Sequence, residues 1–301
     1  MKTKDIALAI LVVAIWGVSF SVIKVGLQEL PPLLLSALRF LIAANPAVFF
    51  IPFPKTTVVT VVMIGLLLGV IKFSLLFLAL NGYVSAGIAS LLLQLQVFFT
   101  IVLSAVLLKE SVSRFQLTGM LISLIGFGFF IFLQQGSVTT TGVILISLAA
   151  LAWALSNLVM KKNAGVNVFH LMVWACLIPP LPLMLLSVLF ESPQPWHLLT
   201  DVSLKVWFSL LFLAFAATLL AYALWGYLLA RFTAATITPF ALLIPIVGIS
   251  TSAVILGERL HLLEILSALI VMAGLVLCVL GERLHIMQKW QTGSSHSRQS
   301  Q

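Results

Sequence analysis

The chain has 301 residues, of which 62% are hydrophobic and 8% are charged, and its mean hydropathy is +1.22. A soluble protein of this length needs far more polar surface, so the composition excludes an ordinary soluble domain and indicates an integral membrane protein. The formal net charge of +8 could suit a nucleic-acid partner, but the cations lie mainly between apolar segments. We therefore expect contact with a lipid bilayer and no nucleic-acid partner.

Ten apolar stretches follow one another along the chain, separated by short polar breaks. Each has roughly 18–25 residues, which lets one helix cross about 30 Å of hydrocarbon. The pattern predicts an all-α integral membrane protein with ten transmembrane helices, which we call spans. The predicted spans cover about residues 5–24, 32–52, 57–80, 85–108, 115–134, 140–160, 168–190, 204–229, 234–256 and 262–281.

The two halves of the chain repeat each other. Residues 101–126 align without gaps on residues 249–274, a constant offset of 148 positions, with identical pairs that include Glu110 with Glu258. At an offset of 137 positions, Trp16, Ser19 and Lys24 match Trp153, Ser156 and Lys161. Five spans per half is an odd number, so we predict two repeats that lie inverted in the bilayer, a construction of many secondary transporters with the substrate site between the halves. The predicted units are repeat 1 over residues 5–134, repeat 2 over 140–281 and a disordered tail over 282–301.

Basic residues are distributed unevenly between the two sides of the membrane. If the N-terminus is cytoplasmic, the cytoplasmic segments hold Lys2, Lys4, Lys55, Lys109, Arg114, Lys161, Lys162, Arg231, Arg283, Lys289 and Arg298, and the opposite side holds Lys24, Lys205 and Arg259. This bias follows the positive-inside rule and predicts that both termini are cytoplasmic. It also places Glu110 and Glu258 on opposite sides, as inversion requires.

Two full charges lie well inside the predicted spans. Arg39 and Lys72 are each about eight residues from a span end, which puts their Cα atoms about 12 Å below the interface. A central Lys or Arg costs at least about 2.5–3.5 kcal/mol on insertion scales, so each must face protein or water. The acidic residues all lie at or near span ends. Lys72 would suit a substrate carboxylate, whereas a structural role, bonded to backbone carbonyls or snorkelling outward, is favoured for Arg39.

Neutral polar and aromatic side chains inside the spans supply further candidates. Gln94 and Gln96 point about 200° apart on a helix, so we expect one to reach a cavity and the other to bond a neighbouring helix. Asn157 has four hydrogen-bonding sites, which are costly to bury without partners. The candidate substrate-binding residues are Lys72, Gln94, Asn157, Trp16, Ser19, Tyr222 and Arg39.

Motifs of common enzymes and ATP-driven pumps are absent from the sequence. There is no HExxH, no GxSxG, no P-loop and no cluster with metal-ligand spacing. We therefore expect no cofactor, no metal and no catalytic activity. The oligomeric state and the energy source of transport stay open at this point.

Three segments are informative about the family, namely WGVSFSVIKVGLQELPPLLLSALRF (residues 16–40), LLKE (107–110) and ILGERL (255–260). Through them the chain resembles the EamA family of the drug/metabolite transporter superfamily, and the resemblance covers essentially the whole chain as two repeats. It implies a ten-span transporter of the bacterial inner membrane with cytoplasmic termini and a central cavity lined mainly by spans 1, 3, 4, 6, 8 and 9. Within the family, residues 16–50 and LLLQLQVFFTI (91–101) look most like exporters of O-acetylserine and cysteine, with a departure at Lys72, where a neutral residue is expected.

These observations lead to a functional hypothesis. We expect an exporter of small amino-acid metabolites, namely cysteine and O-acetylserine, that works by alternating access. Lys72 would hold the substrate carboxylate, Gln94 and Asn157 would bond its amino or ester groups, and Trp16 would close the cavity. Export of aromatic amino acids, nucleosides or drugs is the alternative, and a membrane scaffold or channel is a more distant one.

Overall fold

The protein is a bundle of apolar helices joined by short loops. The computed structural model describes residues 1–133, 138–163, 165–232 and 234–296, without the side chains of 131–133, 234–235 and 282–296. Among these residues, nine helices are long and apolar enough to cross a membrane: Thr3–Gly26 (span 1), Pro32–Phe50 (span 2), Val58–Leu80 (span 3), Ala86–Leu108 (span 4), Thr140–Lys162 (span 6), Val168–Phe190 (span 7), Leu204–Arg231 (span 8), Thr238–Leu256 (span 9) and Leu262–Gly281 (span 10). Span 5 is the helix Arg114–Leu133, whose fully described apolar part is Arg114–Phe130. The predicted all-α fold is therefore confirmed.

Segments at the ends of spans complete the chain. A 3-10 helix, Pro195–Thr200, lies in the loop between spans 7 and 8. The last helix continues beyond span 10 and is assigned over Leu262–His296. In the predicted disordered tail, 282–301, the side chains of 282–296 and the whole of 297–301 lie outside the described part of the chain, so the disorder stays a prediction.

The outside of the bundle carries many large apolar side chains. Phe49, Phe50 and Val254 are 77%, 78% and 85% exposed, and many other large apolar side chains are exposed along the spans. Such a surface would be unstable in water, because soluble proteins rarely expose large contiguous apolar areas. A helix that is apolar all round is suited to a membrane, where lipid covers the outer face.

Irregular backbone recurs at equivalent places in the two halves. Span 3 contains a π-helix over Gly65–Lys72, and span 8 contains one over Phe212–Leu220. At the offset of 148 positions, the two π-helices end at equivalent residues. Span 4 is interrupted at residues 93–94, between Ala86–Leu92 and Leu95–Leu108, and the equivalent part of span 9 is a 3-10 helix, Thr238–Leu243. The repeat seen in the sequence is therefore also a repeat of backbone geometry.

The ends of spans 4 and 9 also have the same geometry. Lys109 and Gly257, which are equivalent residues, both adopt left-handed backbone with φ of 56° and 67°. The next residues, Glu110 and Glu258, each donate a backbone hydrogen bond of 3.3 Å to the carbonyl of an equivalent serine. This left-handed position after the last turn is a common way to end a helix and satisfy its free carbonyls.

Spans 5 and 10 show that the halves are inverted. A Cβ built on Gly119 would lie 2.5 Å from the carbonyl oxygen of Gly274, and one on Gly126 would lie 3.0 Å from that of Ser267. The residue numbers run in opposite directions, so the helices are antiparallel. Gly119 is equivalent to Ser267 and Gly126 to Gly274, so each contact is the symmetry mate of the other. Two equivalent helices that pack antiparallel around a pseudo-two-fold axis are what inverted repeats require.

Candidate functional site

Two buried cations share one aromatic ring at the centre of the candidate site. Arg39 and Lys72 are 2% and 5% exposed. The guanidinium carbon of Arg39 lies 4.1 Å from the centroid of the Phe73 ring, and Nζ of Lys72 lies 3.6 Å from the same centroid. The two charged groups are therefore within about 8 Å of each other, close enough to interact electrostatically in this buried setting.

Arg39 connects span 2 to the π-helix of span 8. Its Nη2 donates a 2.8 Å hydrogen bond to Oγ1 of Thr218, and its Nε is buried without a hydrogen-bond partner. Thr218 itself donates to the carbonyl of Leu213, five residues back, which is the spacing of the π-helix. The guanidinium also lies over the rings of Phe40 and Phe77. Arg39 therefore joins the two halves and still has unused hydrogen-bonding capacity.

Lys72 lies at the end of the π-helix of span 3, between two aromatic faces. Besides Phe73, its Nζ lies 4.5 Å from the ring centroid of Trp153 in span 6. Cation–π contacts of this kind stabilise a charged group by roughly 0.5–2 kcal/mol, depending on its desolvation. The two ion pairs found within the described residues do not include Lys72 or Arg39. The site therefore holds two basic side chains without a carboxylate in contact among the described side chains.

Two glycines that precede Lys72 in span 3 let span 7 pack closely against it. A Cβ on Gly65 would lie 2.6 Å from Cβ of Ile178, and one on Gly69 would meet the ring of Pro179. The absence of side chains therefore lets the two helices approach closely, as expected for glycines spaced along one face of a membrane helix.

An aromatic cluster adjoins the cations on span 8. Tyr222 lies one turn after Thr218, and its ring centroid is 5.4 Å from that of Trp16 in span 1. Trp225 lies 5.2 Å from Trp16 on the next turn. Nε1 of Trp16 donates a 3.1 Å hydrogen bond to the carbonyl of Ala217. Trp16 is connected to the cations through span 8, because Ala217 accepts its hydrogen bond and the next residue, Thr218, accepts one from Arg39.

The amide side chains occupy the flanks of this group. Asn157 is one turn after Trp153, and its Nδ2 donates to Oε1 of Gln96 at 2.9 Å and to Oγ1 of Thr100 at 3.3 Å. Gln94 is 4% exposed, and its Nε2 donates to the carbonyl of Ala241 at 3.4 Å. Because residue 241 lies in the irregular part of span 9, Gln94 connects the interruptions of the two equivalent helices.

The predicted candidates therefore divide into two groups. One cluster contains Arg39, Lys72, Trp16 and Tyr222, with Asn157 one turn from its edge. Ser19 is bonded to the carbonyl of Ile15 within its own helix, at 2.7 Å, and Gln94 is occupied by a backbone carbonyl. Other contributors were not in the list of candidates, namely Phe73, Thr218, Gln96, Trp153 and Trp225. Gln96 had a signal in the sequence as an amide in mid-span and Trp153 as a repeat partner, whereas an apolar ring and a lone threonine look ordinary in a membrane helix.

Comparison with a family model matches both halves of the chain. The EamA-like transporter family matches residues 3–132 and again residues 140–280. The chain belongs to the EamA-like transporter family. The fold and the family together make it a multi-pass membrane transporter.

Relatives of this EamA-like transporter cover nearly the whole chain. Proteins named "Probable amino-acid metabolite efflux pump" are 41% identical in Salmonella typhimurium (strain LT2) and 38% identical in Escherichia coli (strain K12), in each case over 93% of this chain and 96% of the relative. A "Probable terminal-alkyne amino-acid exporter" of Streptantibioticus cattleyicolor is 24% identical over 91% of this chain and 93% of its own. A solved crystal structure matches with a TM-score of 0.64 and 18% identity, over 94% of this chain and 99% of that one, which shows a shared fold.

Proposed function

We propose that this transporter exports small amino-acid metabolites, with cysteine and O-acetylserine as the first substrates to test. The observation that carries the proposal is the buried pair of cations, Arg39 and Lys72, which has no carboxylate partner among the described residues. A buried charge needs compensation, and a substrate carboxylate would supply it. The names of the two efflux pumps with 38–41% identity support the same substrate class.

The cluster suggests a role for each side chain. Lys72 and Arg39 together bind the carboxylate, and the free Nε of Arg39 lets the guanidinium donate a second hydrogen bond. Trp16 and Tyr222 form the wall against which the remainder of a small substrate packs. Asn157 exchanges its bond to Gln96 for a bond to the substrate amino or ester group. Gln94 offers a second amide once it leaves the Ala241 carbonyl.

Transport by alternating access fits the arrangement of the halves. Arg39 of one half bonds Thr218 of the other, so a carboxylate bound there would change the contact between the halves. The proposed units are residues 5–134 and 140–281, followed by the tail 282–301. Each would rock against the other around the cluster, as in other inverted-repeat transporters.

The proposed location is the bacterial inner membrane with both termini in the cytoplasm. The distribution of basic residues supports it through the positive-inside rule. Reporter fusions that are active only in the cytoplasm, placed at the C-terminus and within the loop at 191–201, test it. Activity at the C-terminus and none in the loop is expected, and the reverse pattern would overturn the orientation.

The direct test is efflux from proteoliposomes that contain labelled O-acetylserine or cysteine, with and without an imposed pH gradient. Saturable efflux is the expected result, and its response to the gradient separates proton coupling from uniport or exchange. Unlabelled O-acetylserine should compete with the labelled solute, and its methyl ester should not, because the ester has no carboxylate for the two cations to bind. No efflux of either solute would overturn the substrate assignment.

Variants at Lys72 sharpen this test. Lys72→Gln should reduce efflux about tenfold or more and remove the preference for the free carboxylate over the ester, because one charge-assisted hydrogen bond contributes roughly 1.5–3 kcal/mol. Lys72→Arg keeps the charge and should retain part of the efflux. Lys205→Gln is a matched control, since Lys205 is an exposed lysine bonded to Gln28 far from the cluster. Unchanged rate and selectivity in Lys72→Gln would remove Lys72 from the mechanism.

Export of aromatic amino acids is the second candidate. The ring contacts of Trp16 with Tyr222 and Trp225 offer a stacking surface for an aromatic side chain. The same vesicles loaded with labelled tryptophan distinguish the two candidates by their relative efflux rates.

A further inference from the structure

Two ion pairs join the halves at symmetry-related positions. Nζ of Lys24 lies 3.0 Å from Oε1 of Glu258, and Nζ of Lys161 lies 2.6 Å from Oε2 of Glu110. Lys24 and Lys161 are equivalent in the repeat, and so are Glu110 and Glu258. Each pair connects the first helix of one half with the glutamate two residues after the fourth helix of the other half. The pseudo-two-fold axis therefore converts one pair into the other.

The two pairs lie at opposite ends of the bundle. We define the N-terminal face as the end at which span 1 begins and the far face as the end at which it finishes. Lys24 is in the last turn of span 1 and, with Glu258, lines a recess of about 300 Å³ on the far face. Span 6 begins at the far face, where Thr139 donates to the carbonyl of Tyr83, so Lys161 in its last turn lies at the N-terminal face.

The two pairs differ in burial and in support. The side chains of Lys24 and Glu258 are 28% and 14% exposed, whereas those of Lys161 and Glu110 are 49% and 44% exposed. Glu258 also accepts hydrogen bonds from the backbone nitrogens of Ala86 and Gly87, at 3.0 and 3.3 Å.

Glu258 thereby holds three helices together at the far face. It connects span 1 through Lys24, span 4 through its first-turn amides and span 9, to whose end it belongs. Burial by itself would raise the pKa of Glu258, but the hydrogen bonds from Ala86, Lys24 and Gly87 and the charge of Lys24 hold it below its usual range. The carboxylate is therefore charged, and each of its oxygens accepts at least one hydrogen bond in this conformation.

We propose that the two ion pairs are equivalent latches. When the halves exchange their conformations, the more buried latch becomes exposed and the more exposed latch becomes buried. This inference rests on the alternating access of the proposed function. In inverted repeats the second state is reached when the halves exchange their conformations, so a contact that is buried on one face becomes exposed, and its symmetry mate becomes buried. Lys161–Glu110 would then close the N-terminal face, and Lys24–Glu258 would separate to open the far face.

The test measures the accessibility of two equivalent reporter positions. Leu256 lines the far-face recess beside the first latch, and its repeat partner Leu108 lies two residues before Glu110. Both are partly buried leucines at the last residue of a span. The variants Leu256→Cys and Leu108→Cys are labelled with a membrane-impermeant thiol reagent in full-length protein in detergent, against the background of the buried Cys176 and Cys278.

Opposite changes at the two reporters are the expected result. Glu258→Gln should raise the labelling rate of Leu256→Cys by about two- to fivefold and lower the labelling rate of Leu108→Cys. This is the size of shift expected from the loss of one ion pair near the protein surface. Glu110→Gln should have the reverse effect on both reporters. Lys24→Gln leaves the amide contacts of Glu258 in place and should act in the same direction as Glu258→Gln with a smaller effect.

Three outcomes decide the proposal without any substrate. Opposite changes at the two faces support it even if no amino-acid efflux is found, so its failure is distinguishable from failure of the proposed function. A change only at the reporter next to the mutated latch, or at neither reporter, overturns it. The control Lys205→Gln removes a far-face cation outside the latch and should leave both labelling rates unchanged.

Discussion

Lys72 and Leu220 end the two π-helices at equivalent positions, yet one is charged and the other is apolar. The fold therefore does not need a cation at this position, since the second half builds the same π-helix without one. The charge is retained against an insertion cost, with two aromatic faces as its partial compensation. At the scale of single residues, function is most visible where the two halves differ.

Lys109 gives a residue-scale prediction about helix termination. It is the one described non-glycine residue with positive φ, and its repeat partner is Gly257. A side chain costs about 1–2 kcal/mol in this conformation and glycine does not, although glycine loses more entropy on folding. Lys109→Gly should therefore raise the free energy of unfolding by about 0.5–1 kcal/mol, and Gly257→Ala should lower it by a similar amount. Thermal unfolding in detergent measures both, and a destabilised Lys109→Gly would contradict the argument.

Glu258 gives a pH-dependent prediction. Its pKa is lowered in the folded protein, so its contribution to stability is present above the ordinary pKa of a glutamate and is lost as the pH falls through the lowered value. Lys24 is the partner of this carboxylate in the ion pair. The melting temperature of the parent should thus fall more steeply than that of Glu258→Gln as the pH drops below about 4.5. Parallel pH profiles for the two proteins would contradict this assignment.

At the scale of elements, the irregular helices are the parts that carry the site. The π-helices of spans 3 and 8 place Lys72 and Thr218, and the interruption of span 4 places Gln94 beside the carbonyl of Ala241. π-helical turns and broken membrane helices free backbone groups and turn side chains toward a cavity, which is why they occur at functional sites. The regular helices, such as span 5, mainly pack.

Gly69 gives a prediction at this scale. A Cβ there would collide with the rigid ring of Pro179, so Gly69→Ala should push span 7 away from the π-helix and cost about 1–3 kcal/mol. Gly128→Ala in span 5 is the matched control, because its Cβ would meet nothing within 4 Å. The melting temperature should fall for the first variant and stay the same or rise for the second. Equal shifts in melting temperature for the two variants would show that span 7 does not pack tightly against span 3 at Gly69.

At the scale of the whole molecule, the pseudo-two-fold axis runs through spans 5 and 10. Oγ of Ser123 donates a 2.9 Å hydrogen bond to the carbonyl of Val271. These two residues are repeat partners, so the axis passes between them. Spans 5 and 10 hold the halves together there, while the latches lie at the two faces. The proposed rocking of the halves needs such a fixed contact, which we call the seam.

The seam gives a prediction about coupling between positions. A Cβ on Gly119 or on Gly274 would meet the backbone of the opposite helix. Each of Gly119→Ala and Gly274→Ala should cost about 1–3 kcal/mol, and the double variant should cost clearly less than both together, because one separation of the helices relieves both collisions. Denaturation in detergent of the four proteins forms the cycle, and additive effects would contradict a direct contact.

The sequence by itself determined the class, the spans and the repeat. Membrane helices must satisfy their backbone hydrogen bonds internally and face lipid, so length and hydropathy suffice to find them. The repeat was visible because equivalent residues such as Glu110 and Glu258 perform the same structural task in each half. The burial of Arg39 and Lys72 followed from the cost of charge in hydrocarbon.

Only the tertiary structure decided which side chains meet. Arg39 was expected to be mainly structural, and its place above Phe73 beside Lys72 follows from how span 2 packs on spans 3 and 8, which local sequence does not encode. The pairing of Lys24 with Glu258 crosses more than two hundred residues and depends on the relative placement of the halves. Hydropathy reports the partition of each helix between water and lipid. Contacts between helices depend on small differences in packing, and these are specified by the whole assembled bundle.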